Sequence, residues 1–469
     1  MSIAAGAGPL YPPGPHNLRP RPNGPPAGDL SLTSDAAAPI LQPKTMSIRS
    51  RQGRVLPWAW FILGIGFLDI FINYSVRLGY GVVLPEMLRD MGLSRTAGGT
   101  IYNAYLAAYI VLTPLSGFLT DRIGARRVIP TCLAVLGGGV LLLAKAASMG
   151  EACLAYALVG AGAAGIWTPV LAVVQRWFVQ ERRGLALGIL SVGYGLGFAA
   201  VGSFFPLIVL HHDWRYTWLI LGTAALVLVA INAAFLRNDP ESCGTTPWGQ
   251  KPGKAEADHP AAVPGISVAV ILRNPTFWWI GCSYFSISYA LYGFTTFMVD
   301  YARDQAGMSL AAASFLATIH GSCQVAGVLT ILPLSDRLGR RRTILFSNGC
   351  IALAILGIVC GGDAPSVLPV LVGLLAVFYG ATFPIYGASA GDYFPRPVIG
   401  TVIGAWTPLY GAGAILSHWA GGALRDSLGN YSAAFLIDAG MAIAAVVLFL
   451  LVGKTWKGGG LLTAKRKDG

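Results

Sequence analysis

The stretch Gly117-Phe118-Leu119-Thr120-Asp121-Arg122-Ile123-Gly124-Ala125-Arg126-Arg127 separates two apolar segments of the chain. Its second half recurs as Asp336-Arg337-Leu338-Gly339-Arg340-Arg341-Arg342 between two later apolar segments. At the same offset, or one residue more, further pairs match in equivalent segments: Gly165 with Gly380, Pro169 with Pro384, Phe178 with Phe394, Gly188 with Gly404, and 194–197 with 410–413. Self-similarity at one fixed offset indicates an internal duplication.

The composition indicates a chain built for lipid rather than water. Apolar residues make up 54% of its 469 residues and charged residues 12%, about half the charged share of a soluble domain. A soluble enzyme, a disordered chain and a fibrous repeat are therefore excluded. Barrel strands alternate over about 10 residues, whereas Val128–Ala147 and Ala433–Val452 are continuous apolar runs long enough for a spanning helix. The sequence predicts an all-α membrane protein.

Twelve apolar spans follow one another after residue 55. The predicted limits are 57–85, 98–120, 128–147, 152–177, 184–209, 215–236, 275–300, 309–333, 343–361, 366–391, 398–420 and 431–452. A polar linker, 237–273, divides them into two six-helix halves, 55–236 and 274–453. We expect a disordered Pro-rich tail at 1–46, with Met46 as an alternative start, and a basic tail at 454–469.

The Lys and Arg residues are distributed unevenly between the loops. With the N-terminus inside, most of the 33 fall in inside segments. The exceptions are Arg89, Arg95, Arg215, Arg303 and Arg425 in outside loops, and Arg77 and Lys145 within spans. This bias predicts a multi-pass protein of the inner membrane with both termini cytoplasmic. Anionic lipid at that face accounts for the net charge of +12, so no nucleic-acid partner is needed.

An even number of spans gives the two halves the same orientation. They therefore form a parallel repeat about an axis along the membrane normal, as in rocking transporters. The stretch from Gly117 to Arg127 resembles the signature loop GxLxDRxGxRR of the major facilitator superfamily. In the second copy Leu332 stands in place of the leading glycine. The resemblance covers about residues 55–455 and implies the twelve-helix major facilitator fold of a secondary active transporter.

Within that superfamily, two segments resemble bacterial organic-anion carriers of the oxalate–formate and monocarboxylate type. They are 176–189, with Arg176-Trp177-Phe178 and Arg182-Arg183-Gly184, and Asp213–Trp218 at the start of span 6. Such carriers place an Arg in helix 8 and often a Lys in helix 1 or 11. This chain has His320 in span 8 and no Lys in span 11.

The two signature loops are predicted to act as a conformational latch between the inner ends of the halves. An Asp in each copy can cap a neighbouring helix, where the helix dipole favours negative charge. The Arg residues can pair with carboxylates and lipid phosphates, or alternatively only set topology. The latch candidates are Gly117, Asp121, Arg122, Gly124, Arg126, Arg127, Asp336, Arg337, Gly339 and Arg340.

Span 1 carries three polar residues at four-residue steps, Asp69, Asn73 and Arg77. A helix turns 3.6 residues per turn, so they share one face. Charges inside a span are costly and face a cavity or a partner. We therefore predict that Arg77 anchors a substrate anion and that Asp69 relays a proton. A structural Asp–Arg pair is the alternative.

His320 and Gln324 lie one turn apart in span 8. Histidine changes charge near neutral pH, so His320 is predicted to bind substrate or carry a coupling proton, with packing as the alternative. The other predicted substrate-binding residues are Asn73, Asn103, Tyr289, Gln324, Tyr386, Trp406 and Tyr410. His418, Asp438 and Lys145 lie near span ends or on outer helices and are interpreted as structural.

The function predicted from the sequence is secondary active transport of a small organic anion of the carboxylate class. The mechanism is alternating access with proton symport or anion exchange, by a monomer. No phosphate-binding loop, metal spacing or catalytic triad occurs, so no cofactor, metal or enzymatic activity is predicted. Two alternatives are a drug or cation exporter of the same superfamily and a transport-inactive membrane sensor.

Overall fold

The computed structural model describes residues 58–250, 271–361, 366–394 and 399–452. These residues form twelve long helices, which confirms the predicted fold class. The helices are α1 (Trp58–Met91), α2 (Arg95–Ile123), α3 (Ala125–Lys145), α4 (Met149–Trp177), α5 (Gln180–His211), α6 (Arg215–Phe235), α7 (Pro275–Asp304), α8 (Leu310–Leu338), α9 (Arg340–Gly361), α10 (Leu368–Tyr393), α11 (Ile399–Leu428) and α12 (Ser432–Leu450). The predicted tails and residues 251–270 of the predicted linker lie outside the described residues.

Ten of the described helices are long and apolar enough to cross a membrane, and α7 and α11 are not among them. The reason is visible in α7, which buries Ser283, Ser288, Thr295 and Thr296. Polar groups inside a membrane protein face its interior rather than lipid. Helix α7 therefore has low hydropathy because it contributes polar side chains to the centre of the bundle.

The duplicated motif forms the same turn in both halves. Gly124 joins α2 to α3 with φ +83°, and Gly339 joins α8 to α9 with φ +88°. This left-handed region is readily accessible to glycine. The same helices also begin alike: the Ser94 hydroxyl accepts from Ala97 N at 3.1 Å, and the Ser309 hydroxyl accepts from Ala312 N at 3.2 Å. Both are helix N-caps.

Helix α4 is broken into two segments, Met149–Ala163 and Trp167–Trp177. Before the break it approaches its neighbours closely: a Cβ at Gly160 would overlap the carbonyl of Tyr105, and one at Gly162 would overlap α3 near Cys132. The break allows the second segment to change direction. Trp167 then packs edge-to-face against Tyr74 of α1, with ring centroids 5.9 Å apart.

The first part of the linker packs on the end of the N-terminal half. Trp248 N donates to the carbonyl of Trp177 at 2.8 Å, and Val179 N donates to the carbonyl of Trp248 at 3.2 Å. The Trp248 ring lies 5.1 Å from that of Trp60 in α1. These contacts fix residues 237–250 to α1, α4 and α5.

The two halves meet along a seam at one end of the bundle. We call this the distal end, because the start of α1 and the end of α12 lie at the opposite, terminal end. A Cβ at Gly99 of α2 would lie 2.5 Å from the carbonyl oxygen of His418 in α11, and one at Gly81 of α1 would lie 2.8 Å from that of Thr296 in α7. Helices α5 and α8 meet equally closely at Gly202, where a Cβ would lie 2.6 Å from the backbone nitrogen of Thr318. Small residues permit such close packing in membranes.

Candidate functional site

A cavity of about 90 Å³ lies between the two halves, midway along the helices. This volume is several times what one water molecule requires. Six tyrosines and one arginine give it an aromatic wall with a single charged group among its lining residues. The lining residues are Tyr74, Arg77, Tyr109, Trp167, Ser191, Tyr194, Tyr292, Val328, Tyr379, Gly380, Phe383, Pro384, Thr407 and Tyr410.

Arg77 is 6% exposed and is surrounded by aromatic rings. Its guanidinium carbon lies 5.0 Å from the ring centroid of Tyr109, and 5.7 to 5.8 Å from those of Tyr74, Tyr105 and Tyr292. Ring faces carry partial negative charge and attract a cation. Arg77 Nη2 also donates to the hydroxyl of Tyr292 at 2.6 Å, which links α1 of one half to α7 of the other.

The charge of Arg77 has no anionic partner within the described part of the chain. Its Nε is buried without a hydrogen-bond acceptor. Removing an ion from water costs several kcal/mol unless a counter-charge compensates, and aromatic faces return about 0.5–2 kcal/mol each. The site therefore favours an anion that can accept from the guanidinium and from tyrosine hydroxyls.

A cluster of ion pairs closes the distal end. Arg95 at the start of α2 contacts Asp300 at 3.2 Å and Asp304 at 2.9 Å, both at the end of α7. Asp304 also pairs with Arg425 of α11, and Glu86 of α1 pairs with Arg303 of α7. The pairs of Arg95 and of Glu86 join the N-terminal half to the C-terminal half. The pair of Arg425 with Asp304 lies within the C-terminal half and holds the carboxylate that Arg95 contacts.

Two further residues, Asp426 and Tyr431, complete this cluster, which we call the distal gate. Asp426 of α11 accepts from Arg95 N at 3.0 Å and from Thr96 N at 2.8 Å, so it satisfies backbone donors at the start of α2. Tyr431, between α11 and α12, donates to Asp300 at 2.5 Å. Burial, together with the Asp300 carboxylate, raises the pKa of Tyr431 well above its usual value, so its hydroxyl stays protonated as a donor.

Comparison with known proteins identifies the family. The family model described as "Major Facilitator Superfamily" matches residues 62–320 and 280–463. The chain belongs to the Major Facilitator Superfamily. It is thus a multi-pass membrane transporter and not an enzyme, and the predicted family is confirmed.

Individual relatives agree with this assignment. The hexuronate transporter of Bacillus subtilis (strain 168) is 25% identical over 408 residues, which cover 83% of this chain and 94% of that protein. The oxalate:formate antiporter of Oxalobacter formigenes is 24% identical over 413 residues, 84% and 90% of the two chains. The resemblance to bacterial organic-anion carriers is therefore confirmed.

A solved structure shares the fold. It is a bacterial homolog of the human lysosomal transporter Spinster in an inward-facing and occupied conformation. The TM-score is 0.65 at 16% sequence identity, over 86% of this chain and 98% of that one. At this identity the likeness shows that the two chains share a fold and nothing further.

The structure separates the three polar residues of α1. Arg77 lines the cavity, whereas Asp69 and Asn73 are buried and are not among its lining residues. Asp69 accepts from Nδ2 of Asn232 in α6 at 2.8 Å. No salt bridge joins Asp69 to Arg77 in the described structure. Eight residues leave Asp69 and Arg77 about 80° apart around the axis of α1, which is enough for Asp69 to contact α6 and Arg77 to contact α7.

The remaining predicted substrate residues are divided between the cavity and the packing around it. Tyr410 lines the cavity, and Gln324 touches its edge by donating to the Tyr194 hydroxyl at 3.3 Å. His320 lies behind the cavity wall, with its ring 5.3 Å from that of Tyr379. Its Nε2 is 3.5 Å from Oγ1 of Thr295.

Two predicted residues make structural hydrogen bonds instead. The Tyr386 hydroxyl contacts Ser283 at 2.6 Å and accepts from Asn348 at 2.9 Å. Trp406 donates to the carbonyl of Phe277 at 3.0 Å. Tyr289, like these two, is buried outside the cavity lining. The polar groups of Tyr386 and Trp406 are thus used within the C-terminal half.

Asn103 belongs to the seam between the halves. Its Nδ2 donates to the carbonyl of Ile415 in α11 at 2.9 Å, and its Oδ1 lies 2.9 Å from Nδ1 of His418. His418 itself is fully buried and stacks on Tyr102 with ring centroids 4.4 Å apart. The predicted span limits put His418 near a helix end, but α11 continues to Leu428 and places it inside the bundle.

The two signature loops lie at the terminal end. Asp121, Arg122, Arg126 and Arg127 are exposed, and Asp121 has no hydrogen bond or ion pair with any described residue. Arg126 N instead donates to Oδ1 of Asn238 at 2.9 Å. In the second copy Arg340 pairs with Asp336 at 2.9 Å and with Asp392 at 3.0 Å. The latch role of these residues stays a prediction.

The sequence reasoning missed most of the aromatic residues around Arg77 and the cavity, namely Tyr74, Tyr105, Tyr109, Tyr194 and Trp167. A signal for them was present, because Tyr74 precedes Arg77 by three residues and Tyr105 and Tyr109 are one turn apart. Residues three and four apart meet on a helix surface. A search for tyrosines three or four positions from the buried arginine would have indicated Tyr74.

Proposed function

We propose that this chain is a secondary active carrier that moves a small organic anion, a carboxylate, by alternating access. The observation that carries the proposal is the buried guanidinium of Arg77, which has no described carboxylate partner and opens onto the cavity between the halves. A carboxylate supplies the missing negative charge. The planar fork of arginine also matches a carboxylate through two parallel hydrogen bonds.

The relatives support this substrate class. The two named above are a hexuronate transporter and an oxalate:formate antiporter, and all three of those substrates are carboxylates. A cation exporter fits less well, because a cationic substrate would meet the positive charge of Arg77 with no carboxylate among the residues that line the cavity.

The packing of the glycines supports alternation between two states. At the distal seam, Gly99 and Gly81 lie against carbonyl groups of the other half. Toward the terminal end, a Cβ at Gly117, Gly188 or Gly404 would meet nothing within 4 Å. Gly188 and Gly404 are a duplicated pair, so both halves keep a small residue where a close approach is possible. We infer that the terminal end closes when the distal gate opens.

The distribution of basic residues predicts which side of the membrane the distal gate faces. If the termini are cytoplasmic, as the Lys and Arg distribution predicts, the closed distal gate faces outward and the cavity is accessible to the cytoplasm. Coupling to protons or to a counter-anion completes the proposed cycle. The proton-coupling roles of Asp69 and His320 stay predictions.

Transport by the purified protein tests the proposal. The full chain is reconstituted in liposomes and assayed for uptake of labelled oxalate, formate, glucuronate and glucarate, with and without an imposed pH gradient. We expect accumulation of at least one carboxylate and none of tetraphenylphosphonium, a lipophilic cation. Movement of the cation without any carboxylate would overturn the proposal. Stimulation by an inward proton gradient favours symport, and stimulation by internal carboxylate favours exchange.

A further inference from the structure

His418 lies where the two halves touch, and both of its ring nitrogens face oxygen atoms. Nδ1 is 2.9 Å from Oδ1 of Asn103 in α2, and Nε2 is 2.8 Å from Oγ1 of Thr296 in α7. The ring is fully buried. One imidazole thus joins three helices from both halves of the bundle.

The hydrogen bonds of Asn103 determine how the ring is protonated. Its Nδ2 donates to the carbonyl of Ile415, so its Oδ1 is the atom that faces His418. Nδ1 of His418 therefore carries a hydrogen and donates. Nε2 then accepts from the hydroxyl of Thr296 in the neutral ring. A hydroxyl can donate or accept, so after rotation it can instead accept from a protonated Nε2.

This arrangement can hold imidazolium without moving a heavy atom, because a charged histidine needs two acceptors. The other histidine that is buried in the described part of the chain lacks this arrangement. His320 has Thr295 at 3.5 Å from Nε2, and its Nδ1 has no partner in the described structure. Of the two, only the site of His418 satisfies both donors of a charged ring.

Two tyrosines and Arg77 connect His418 to the cavity. Tyr102 of α2 stacks on its ring, and Tyr292 of α7 lies 5.8 Å away edge-on. Tyr292 also accepts from Arg77 of α1. No carboxylate in the described residues pairs with His418. In the empty carrier, Arg77 is therefore the charge that opposes protonation.

We propose that His418 is the proton-binding site of this carrier, filled when an anion neutralises Arg77. The proposal rests on the proposed function, since the anion provides the negative charge. The proton comes from bulk water and binds the Nε2 lone pair, and no other bond changes. The bound proton also strengthens the distal seam, because Asn103 and Thr296 then accept from a charged donor.

Histidine NMR on the full-length protein in nanodiscs tests the site. The chain has six histidines, and ¹⁵N-histidine labelling with His418→Gln and His320→Gln assigns the signals of these two residues. The ring is titrated from pH 8 to pH 4 in the wild type and in Arg77→Gln. We expect the midpoint of His418 to be about one pH unit or more higher in Arg77→Gln, because a neighbouring positive charge is gone. Thr296→Val should lower it by removing the acceptor of Nε2.

The outcomes separate this inference from the proposed function. His418 remaining neutral down to pH 4 in both proteins, or an unchanged midpoint in Arg77→Gln, would overturn the proton site. Oxalate at saturating concentration should raise the wild-type midpoint and leave that of Arg77→Gln unchanged. If the midpoint of His418 is higher in Arg77→Gln than in the wild type but oxalate does not change the wild-type midpoint, the proton site is supported and oxalate is not the ligand of Arg77.

Discussion

Arg77 on α1 donates to the hydroxyl of Tyr292 on α7 at 2.6 Å, and this bond crosses between the two halves of the carrier. The same guanidinium faces the cavity. The residue proposed to hold the substrate is therefore part of the contact that holds the distal end closed. An anion that competes for the guanidinium would alter that contact, which gives substrate binding a direct route to the conformational equilibrium.

Tyr292→Phe should shift the carrier toward the distal-open state. The variant keeps the ring face toward Arg77 but loses a hydrogen bond to a charged group, worth about 1.5–3 kcal/mol. Ser314 is buried on α8 at the seam, so Ser314→Cys in a background without the seven native cysteines reports opening. Labelling by an impermeant maleimide should become about tenfold faster or more. Tyr109→Phe, which has no hydrogen bond with Arg77 in the described structure, is the matched control.

Gly99→Ala should also disfavour distal closure. The added Cβ would lie 2.5 Å from the carbonyl oxygen of His418, so α2 and α11 must separate. Gly117→Ala on the same helix meets nothing within 4 Å and serves as the control. We expect faster labelling at Ser314→Cys for Gly99→Ala and wild-type labelling for Gly117→Ala. Equal labelling of the two variants would show that the seam tolerates the methyl group.

Asp426→Asn tests the distal gate. The carboxylate accepts hydrogen bonds from two backbone donors at the start of α2. Its negative charge also interacts favourably with the positive end of that helix dipole. Losing the charge should destabilise the distal-closed state by about 0.5–2 kcal/mol. Asp239→Asn, whose partner Arg176 lies at the terminal end, removes a comparable surface charge. Cross-linking of Cys residues placed at Leu93 and Ser427 should fall in Asp426→Asn and stay unchanged in the control.

The duplication and the fold were predictable from the sequence because they depend on pattern. The motif around Asp121 and Asp336 recurs at a fixed offset, and both copies form a left-handed glycine turn. Arg77 was predictable because a permanent charge within an apolar span has few acceptable environments. A repeat offset and a charge within an apolar span can both be recognised without knowing how the neighbouring helices are oriented.

The face that each helix presents to the cavity was not predictable in the same way. Helix α7 is buried on nearly all sides, so polarity does not distinguish Tyr289 from Tyr292. His418 was placed near a helix end because hydropathy falls before Arg425 and Asp426. Those charged residues belong to the distal gate, and the helix continues through them. Polar contacts between the halves thus shorten a span predicted from hydropathy.

Asp121→Asn tests the predicted latch at the terminal end. Asp121 is exposed in this distal-closed structure, so removing its charge should leave folding and substrate binding unchanged. If Asp121 holds the terminal ends together in the opposite state, the variant should exchange substrate several-fold more slowly. Exchange across proteoliposomes and binding to the purified protein measure the two effects separately. Wild-type exchange in Asp121→Asn would leave the aspartate without a role in the transport cycle.

Binding of carboxylates to Arg77 variants shows whether this arginine holds the substrate. Thermal unfolding of the purified protein is followed with oxalate, formate, glucuronate and glucarate for the wild type, Arg77→Lys, Arg77→Gln and Arg237→Gln. Arg237 is a control at the terminal end, where it donates to helix carbonyls. We predict stabilisation of the wild type and Arg237→Gln by at least one carboxylate, weaker stabilisation of Arg77→Lys, which keeps charge without the fork, and none of Arg77→Gln. Equal stabilisation of Arg77→Gln and the wild type would contradict the account.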